Sequence, residues 1–141
     1  MTKVTKLKTG SVLEEKTSYS RLVCVDNLIF VSNTAGRHPE TKEIAEDLAE
    51  QTHQVFANIE RALNAVDSSL ADVVMTRVFI QDPKDAMVVM GIFGEKFKGV
   101  DPATTVSCPP LSSSVYKVEI EVTAYKGAST AENVTINIGQ Q

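Results

Sequence analysis

The last strongly apolar stretch of the chain carries the residues whose types and spacing best suit chemistry. Apolar and polar residues alternate from 115 to 125, and the polar positions include Glu119 and Glu121. Because successive side chains of a strand point to opposite faces, these two carboxylates should stand side by side, away from the core. A carboxylate held rigidly beside a cleft can activate water, whereas one on a solvated outer face only keeps the protein soluble. The alternation by itself leaves both interpretations open.

Cysteine and histidine add little further chemistry. Cys24, Cys108, His38 and His53 are too few and too scattered for a disulfide framework or a zinc site. No metal is therefore expected. A nucleophilic Cys108 would need a base, and the sequence shows none near it. Cys108 is therefore expected to behave as a small apolar residue.

Length and composition predict one ordinary globular domain. The chain has 141 residues, of which 43% are hydrophobic and 23% charged, and its net charge is −4. A negative balance without a basic stripe argues against nucleic acid and anionic membranes as partners. No apolar run is long enough to span a bilayer, and the N-terminus has no hydrophobic signal core, so a cytoplasmic protein is expected.

The polar C-terminus sets the limits of this domain. Residues 128–141 contain only Val134, Ile136 and Ile138 as large apolar side chains. A segment of this kind is expected to be a loose tail. The sequence therefore predicts a single domain over residues 1–127 and a tail over residues 128–141.

Changes in hydrophobic period divide the domain into strands and helices. Short apolar runs indicate strands, and Asp26-Asn27 between two of them indicates a hairpin turn. Apolar residues spaced by three and four indicate one long and one shorter helix. The strands are expected at residues 4–8, 11–13, 22–25, 28–32, 73–81, 104–108 and 115–125, and the helices at residues 46–66 and 86–97.

This order of elements predicts an α+β fold in which two helices share one face of a mixed sheet. The other face is then uncovered, although it receives apolar residues from the strand at 73–81 as well as the Glu119 side of the last strand. A small domain does not leave such a face in water, so self-association is expected.

Six segments of the chain resemble the Rid/YjgF family, whose members are often described as endoribonuclease L-PSP or translation inhibitor. The segments follow one another in family order, with family-like spacing, between residues 18 and 124. They are Ser18-Tyr19-Ser20, Leu28-Ile29-Phe30-Val31-Ser32, His38-Pro39-Glu40-Thr41, Glu50-Gln51-Thr52, Val78-Phe79-Ile80-Gln81-Asp82 and Val118-Glu119-Ile120-Glu121-Val122.

The resemblance implies a fold, an assembly and an activity. The fold is a mixed sheet with two helices on one face, of the YjgF/chorismate-mutase type. Three copies form a homotrimer with a barrel-like centre, and small molecules bind in clefts between the subunits. The activity implied is the hydrolysis of reactive enamines and imines derived from amino acids to a 2-keto acid and ammonia, without a cofactor.

The resemblance also assigns roles to individual residues. Glu119 matches the glutamate that positions the attacking water in the family, which makes it the candidate catalytic residue. Tyr19 matches the family's cleft tyrosine, and Ser32-Asn33 matches its Ser-Gly segment, with asparagine in place of glycine. Tyr19, Ser32 and Asn33 are therefore candidate substrate-binding residues.

The family's substrate-binding arginine is missing from its expected place. It follows a Pro-Ala pair and precedes the glutamate by fifteen residues, and both intervals lead here to Thr104. Arginine binds a carboxylate through two charge-assisted hydrogen bonds, whereas threonine offers one neutral hydroxyl. Loss of one partner of a buried charge pair costs about 2–5 kcal/mol. Simple 2-imino acids should therefore bind poorly unless Arg21 or Arg37 supplies the cation.

Three functions remain open at this point. The first is a Rid-like imine or enamine deaminase with an atypical substrate, in which Thr104 lines the cleft. The second is a metabolite-binding trimer that uses the same clefts without turnover. The third is a ribonuclease, which the acidic charge and the lack of a catalytic histidine pair make the weakest.

Overall fold

The computed structural model describes residues 1–139, which form one six-stranded mixed sheet with helices packed on one face. The strand order is β1-β2-β3-β6-β4-β5, and only β4 and β5 are parallel. The predicted α+β class is thereby confirmed. Strands β1 to β6 span Val4–Leu7, Leu22–Val25, Leu28–Ala35, Val73–Ile80, Ala103–Ser107 and Val118–Tyr125, and helices α1 to α3 span Val12–Thr17, Leu48–Asn64 and Ala86–Lys96.

The strand expected at residues 11–13 is wrong, because α1 occupies this place. The Ser11 hydroxyl accepts hydrogen bonds from the backbone N–H groups of Leu13 and Glu14, as a helix N-cap does. The helix ends after one and a half turns at Ser18, whose φ of 59° is left-handed. Two adjacent apolar residues imitated a strand, whereas the serine that precedes them begins a helix.

The core lies between the sheet and the two longer helices. On β6 the buried residues are Val118, Ile120, Val122 and Ala124, which confirms the predicted alternation. Helix α2 contributes the fully buried Val55, Phe56, Ile59 and Leu63, as its spacing of three and four predicts. Phe93 of α3 and Phe97 just after it pack edgewise against Phe56 of α2. Aromatic contacts therefore add to buried apolar surface in holding α3 on the domain.

A buried glutamine connects α2 to the strand that carries Glu119. The Gln51 Nε2 atom donates to the carbonyl oxygens of Ala45 and Val115, and its Oε1 atom accepts from the backbone N–H of Lys117. Gly36 must be glycine for the helix to come this close, because a Cβ there would lie 2.5 Å from the backbone oxygen of Gln51. The register of β6 is therefore fixed from its N-terminal end.

The sheet face away from the helices, here called the open face, is uncovered as expected. Val4, Val25, Leu28, Phe30 and Tyr125 are neighbours on this face, and their exposed fractions range from 37% to 55%. On the same face, Arg77 of β4 and Glu121 of β6 are partners in register, and their side chains form an ion pair of 2.6 Å. Within residues 1–139, no helix is long and apolar enough to cross a membrane.

The beginning of the predicted tail is anchored to the domain. The Ser129 backbone N–H donates to Asp72 Oδ1 at 2.9 Å, and the Ser68 hydroxyl donates to Asp72 Oδ2 at 2.7 Å. Ala128–Thr130 forms a short 3-10 turn there, while residues 131–139 are exposed and irregular. The last two residues of the predicted tail lie outside the described residues, and the division at residue 127 stays a prediction.

Asn in place of Asp72 is expected to destabilise the fold. Burial alone would raise the pKa of Asp72, but the hydrogen bonds from Ser129 and Ser68 outweigh it and lower the pKa below its ordinary value. Leaving these donors without their charged acceptor costs about 1–3 kcal/mol. The difference in free energy of unfolding between wild type and Asp72→Asn, from urea titrations, should be full at neutral pH. It should shrink below about pH 4, where acid protonates the unfolded carboxyl and then the folded one.

Asp85→Asn is the matched control for this experiment. Asp85 makes no side-chain capping bond at the start of α3, so its loss should change the free energy of unfolding little. Equal stability of the two variants would contradict the anchoring role of Asp72.

Candidate functional site

Glu119 lies half-buried in the middle of the sheet. On the open face it is flanked by Ala35 of β3 and Phe79 of β4, which are its partners in register. The side chain therefore comes from the rigid centre of the sheet rather than from a loop. The first condition for a catalytic carboxylate, a fixed position, is met.

A β-bulge in β3 aims a polar side chain at Glu119. Val31 pairs with Val122 and Thr34 pairs with Ile120, so three steps on β3 match two steps on β6. The extra residue lies at Ser32-Asn33, and bulges of this kind redirect side chains next to active sites. The Asn33 Nδ2 atom donates to Glu119 Oε1 at 2.8 Å. Two of the predicted site residues are thus in direct contact.

Ser32 holds the bulge against the chain that enters β2. Its backbone N–H donates to the Arg21 carbonyl oxygen at 3.0 Å, and its hydroxyl donates to the Ser20 carbonyl oxygen at 2.8 Å. The Ser32 hydroxyl is therefore occupied by the backbone. It anchors the backbone of Ser20 and Arg21, and its role in substrate binding stays a prediction.

Arg21 completes a row of side chains that leads to Glu119. Its Nη2 atom donates to the Asn33 carbonyl oxygen at 2.7 Å, and its guanidinium lies 5.7 Å from the centre of the Tyr19 ring. Its Nε atom is buried and has no hydrogen-bond partner among residues 1–139. We call Tyr19, Arg21, Asn33 and Glu119 the bulge cluster.

Arg37, the other candidate for a replacement cation, is engaged elsewhere. Its Nη1 atom donates to the Lys42 carbonyl oxygen at 2.6 Å, and its Nη2 atom donates to the Tyr116 hydroxyl at 2.8 Å. These bonds fix the loop that follows β3. Arg21 is therefore the better placed of the two arginines.

The electrostatics of the bulge cluster suit proton transfer. Burial raises the pKa of the Glu119 carboxyl above its ordinary value, and the positive charge of Arg21 acts in the opposite direction. A carboxyl group with a raised pKa both accepts and returns protons more readily near neutral pH. Asn33 meanwhile fixes one carboxylate oxygen, which orients the group.

Thr104 is not part of the bulge cluster within one chain. It pairs with Thr76 on the helix side of the sheet, where the Thr76 hydroxyl donates to it at 2.8 Å and its own hydroxyl donates to the Pro102 carbonyl oxygen. Glu119 faces the other side, two strands away and in register with Ser107, which lies about 10 Å along β5 at the usual rise per residue. A place for Thr104 beside Glu119 depends on a neighbouring subunit and stays a prediction.

An open cavity of about 590 Å³ adjoins one end of the bulge cluster. It is lined by Ser18, Tyr19, Ser20 and Val23 and by charged residues of both signs, Lys6, Lys8, Glu14 and Glu15. Lys8 also donates from Nζ to the Tyr19 carbonyl oxygen at 2.7 Å. Glu119 is not among the residues that line this cavity.

Comparison with known proteins agrees with this architecture. The family model described as "Endoribonuclease L-PSP" matches residues 9–126. A RutC family protein from Leuconostoc mesenteroides subsp. cremoris is 35% identical over 117 residues, which cover 77% of this chain and 87% of that protein. The human protein named 2-iminobutanoate/2-iminopropanoate deaminase is 30% identical over 120 residues, covering 82% of this chain and 85% of its own.

A solved structure shares the same fold. The crystal structure of a member of the YjgF/YER057c/UK114 family from Mycobacterium tuberculosis superposes with a TM-score of 0.79 at 31% sequence identity. The match covers 87% of this chain and 99% of that one.

Proposed function

Because the chain belongs to the endoribonuclease L-PSP family, which includes the YjgF and Rid proteins, we propose that it hydrolyses a small imine or enamine that carries a carboxylate. The observation that supports this most is the hydrogen-bonded contact of Glu119 with Asn33, beside the guanidinium of Arg21. Hydrolysis of a C=N bond needs a group that takes a proton from water, and the Glu119 carboxylate, oriented by the Asn33 amide, can do this. An anionic group of the substrate needs a cation nearby, and the Arg21 guanidinium supplies it.

The roles follow from the chemistry of each group. Glu119 takes a proton from water while the water oxygen adds to the imine carbon. Glu119 passes this proton to the nitrogen, which gives a carbinolamine. The hydroxyl proton of the carbinolamine then moves by way of Glu119 to the nitrogen, the C–N bond breaks, and the products are a ketone and ammonia. Arg21 binds the substrate carboxylate, and its Nη2 bond to the Asn33 carbonyl oxygen and the Tyr19 ring beside it favour one orientation of the guanidinium.

This placement of the cation also supports an atypical substrate. The family arginine would come from β5, whereas Arg21 reaches Glu119 from β2, on the other side of β6 in the sheet order. A substrate carboxylate bound by Arg21 therefore points in a different direction from the reacting carbon. Substrates shaped for the β5 arginine should fit less well.

The active form in this proposal is a homotrimer. The apolar patch around Phe30 and Tyr125 lies on the same open face as Glu119, and in a single chain the patch is exposed while Glu119 is half-buried. Packing of copies through this face would bury the patch and enclose the carboxylate between subunits. Thr104 of a neighbouring copy could then line the same cleft.

A metabolite-binding protein without turnover is the second candidate. It is favoured by Asn33, whose amide already occupies one oxygen of Glu119 where the family has glycine. A carboxylate held in this way is less free to move with a proton. Binding and turnover are separated by experiment.

The test measures loss of 2-iminobutanoate, generated in situ from an amino acid, and binding of 2-ketobutanoate by calorimetry. Wild type should turn over the imine more slowly than a relative that carries the β5 arginine, and Thr104→Arg should raise kcat/KM by about tenfold or more, as a charged hydrogen bond can. Ala57→Arg, which adds the same side chain on the exposed side of α2 and away from the open face, is the control.

The possible results separate the candidates. Brisk turnover by wild type would contradict the atypical-substrate part of the proposal. Binding of 2-ketobutanoate without turnover in any variant would favour the metabolite-binding protein. Neither binding nor turnover in wild type and in Thr104→Arg alike would contradict both candidates.

A further inference from the structure

Residues 134–138, here called the tail segment, have the sequence of a strand but form none in a single chain. Val134, Ile136 and Ile138 alternate with Thr135 and Asn137, so an extended backbone would place all three apolar side chains on one side. They are 73%, 82% and 86% exposed. Three β-branched side chains on one side of a short segment indicate a surface that is buried against something.

The tail segment is an addition to the shared fold. The family model ends at residue 126. The Mycobacterium tuberculosis relative is matched over 99% of its own length, while 87% of this chain takes part. What the tail segment does is therefore to be sought in this chain's own structure.

The structure fixes the point from which the tail segment starts. Beyond the bond between Ser129 and Asp72, the Asn133 side-chain amide donates to the carbonyl oxygens of Ala128 and Ala131. Asn133 also lines a cavity of about 280 Å³ together with Asp101 and Pro102. The tail segment thus leaves the domain beside the loop that leads into β5.

Strand β5 offers the unprotected edge of the sheet. Among residues 1–139 it pairs only with β4, and all five of its residues, Ala103–Ser107, are exposed. It contains no charged residue, and Pro102 and Pro109 lie just outside its ends. The opposite edge, β1, is guarded by Lys3, Lys6 and Lys8, the kind of residues that discourage strand addition.

We propose that the tail segment of one copy adds as a strand to the β5 edge of a second copy of this chain. Both consist of five residues, and both lack charges that would oppose pairing. The start of the tail segment is held near its own β5, yet within one chain the two do not pair, so the partner comes from outside. Such head-to-tail exchange satisfies the edge N–H and C=O groups and closes into a ring when the rotation permits.

Hydrogen exchange of the β5 backbone tests the proposal. In the full chain at high concentration, the backbone amides of residues 103–107 should exchange more slowly than in Ile136→Pro, by a factor of about ten or larger. Proline has no N–H to donate, so it should prevent the tail segment from pairing as a strand. Dilution that separates the copies should remove this protection. Glu132→Pro is the control, because it introduces the same residue outside the tail segment and after an extended residue.

Two outcomes would overturn the proposal. Equal exchange in wild type and Ile136→Pro would show that nothing pairs with β5. Protection that survives full dilution would show that the tail segment pairs with its own β5 edge instead.

A cysteine pair gives an independent measurement. Cys108 is exposed and directly follows β5. Glu132→Cys and Asn137→Cys place a thiol near either end of the tail segment and keep the Asn133 anchor, so one of them should meet Cys108 whichever direction the added strand takes. Mild oxidation should give covalent dimers and larger species on a non-reducing gel. Ala57→Cys, exposed on α2, should give far fewer, whereas loss of thiols without a change in mass would contradict a second copy.

Discussion

Replacing Glu119 by glutamine is expected to lower kcat/KM for the hydrolysed imine by about 10²–10⁴-fold, the usual contribution of a general base. The amide keeps the size of the side chain and can still accept the bond from Asn33. What it loses is the ability to take a proton from water. The rate of imine loss at saturating and limiting substrate gives the measurement.

Glu121→Gln is the control on the same strand. Glu121 lies two positions farther on the same face but is paired with Arg77. Its replacement should leave kcat/KM close to that of wild type. Equal losses in the two variants would mean that the effect is one of folding or general charge, and full activity of Glu119→Gln would remove Glu119 from the mechanism.

Replacing Arg21 by methionine is expected to have the second large effect. Loss of the charged partner of a bound carboxylate costs about 2–5 kcal/mol, which corresponds to about 30-fold to several thousandfold in KM or kcat/KM. Arg21→Lys should recover only part of this, because an ammonium group cannot form the parallel pair of bonds.

Arg21→Met should also shift the pH dependence of activity in a defined direction. Burial raises the pKa of Glu119, and the charge of Arg21 holds it down. Without that charge the pKa rises further. Since the reaction needs the carboxylate, activity should begin to fall at a higher pH in Arg21→Met than in wild type as the solution is acidified.

Arg37→Met is the matched control for Arg21. Its guanidinium binds Lys42 and Tyr116 and lies outside the bulge cluster. The pH at which activity begins to fall on acidification should therefore be the same in Arg37→Met as in wild type. A shift as large as that of Arg21→Met, or no shift in either variant, would contradict the assignment of Arg21.

Much of the fold was predictable because burial has a period. The alternation at 118–125 identified the core side of β6, and the spacing of three and four identified α2. The start of α1 was missed because its signal is the Ser11 cap and not the apolar pair that follows. A cap acts through one hydrogen-bonding side chain, so a search for hydrophobic runs does not detect it.

The site was predictable in its members more than in its arrangement. Tyr19, Asn33 and Glu119 came from the resemblance, and they lie along one row of the open face. Arg21 and Arg37 could not be distinguished from the sequence, because the contacts that separate their roles, with Asn33 and Tyr116, lie 12 and 79 residues away along the chain. The side of the sheet on which Thr104 lies depends on the register of β5, which no local pattern contains.

The bulge at Ser32-Asn33 has a consequence for how this protein can change over time. Val31 before it and Thr34 after it both face the core, so removing residue 33 would restore regular alternation without moving either one. The side chain at position 33 can therefore change ligand binding with little effect on packing in the core. Selection, or a saturation library, can exchange the side chain there freely, and that position is where substrate preference should diverge first among descendants of this chain.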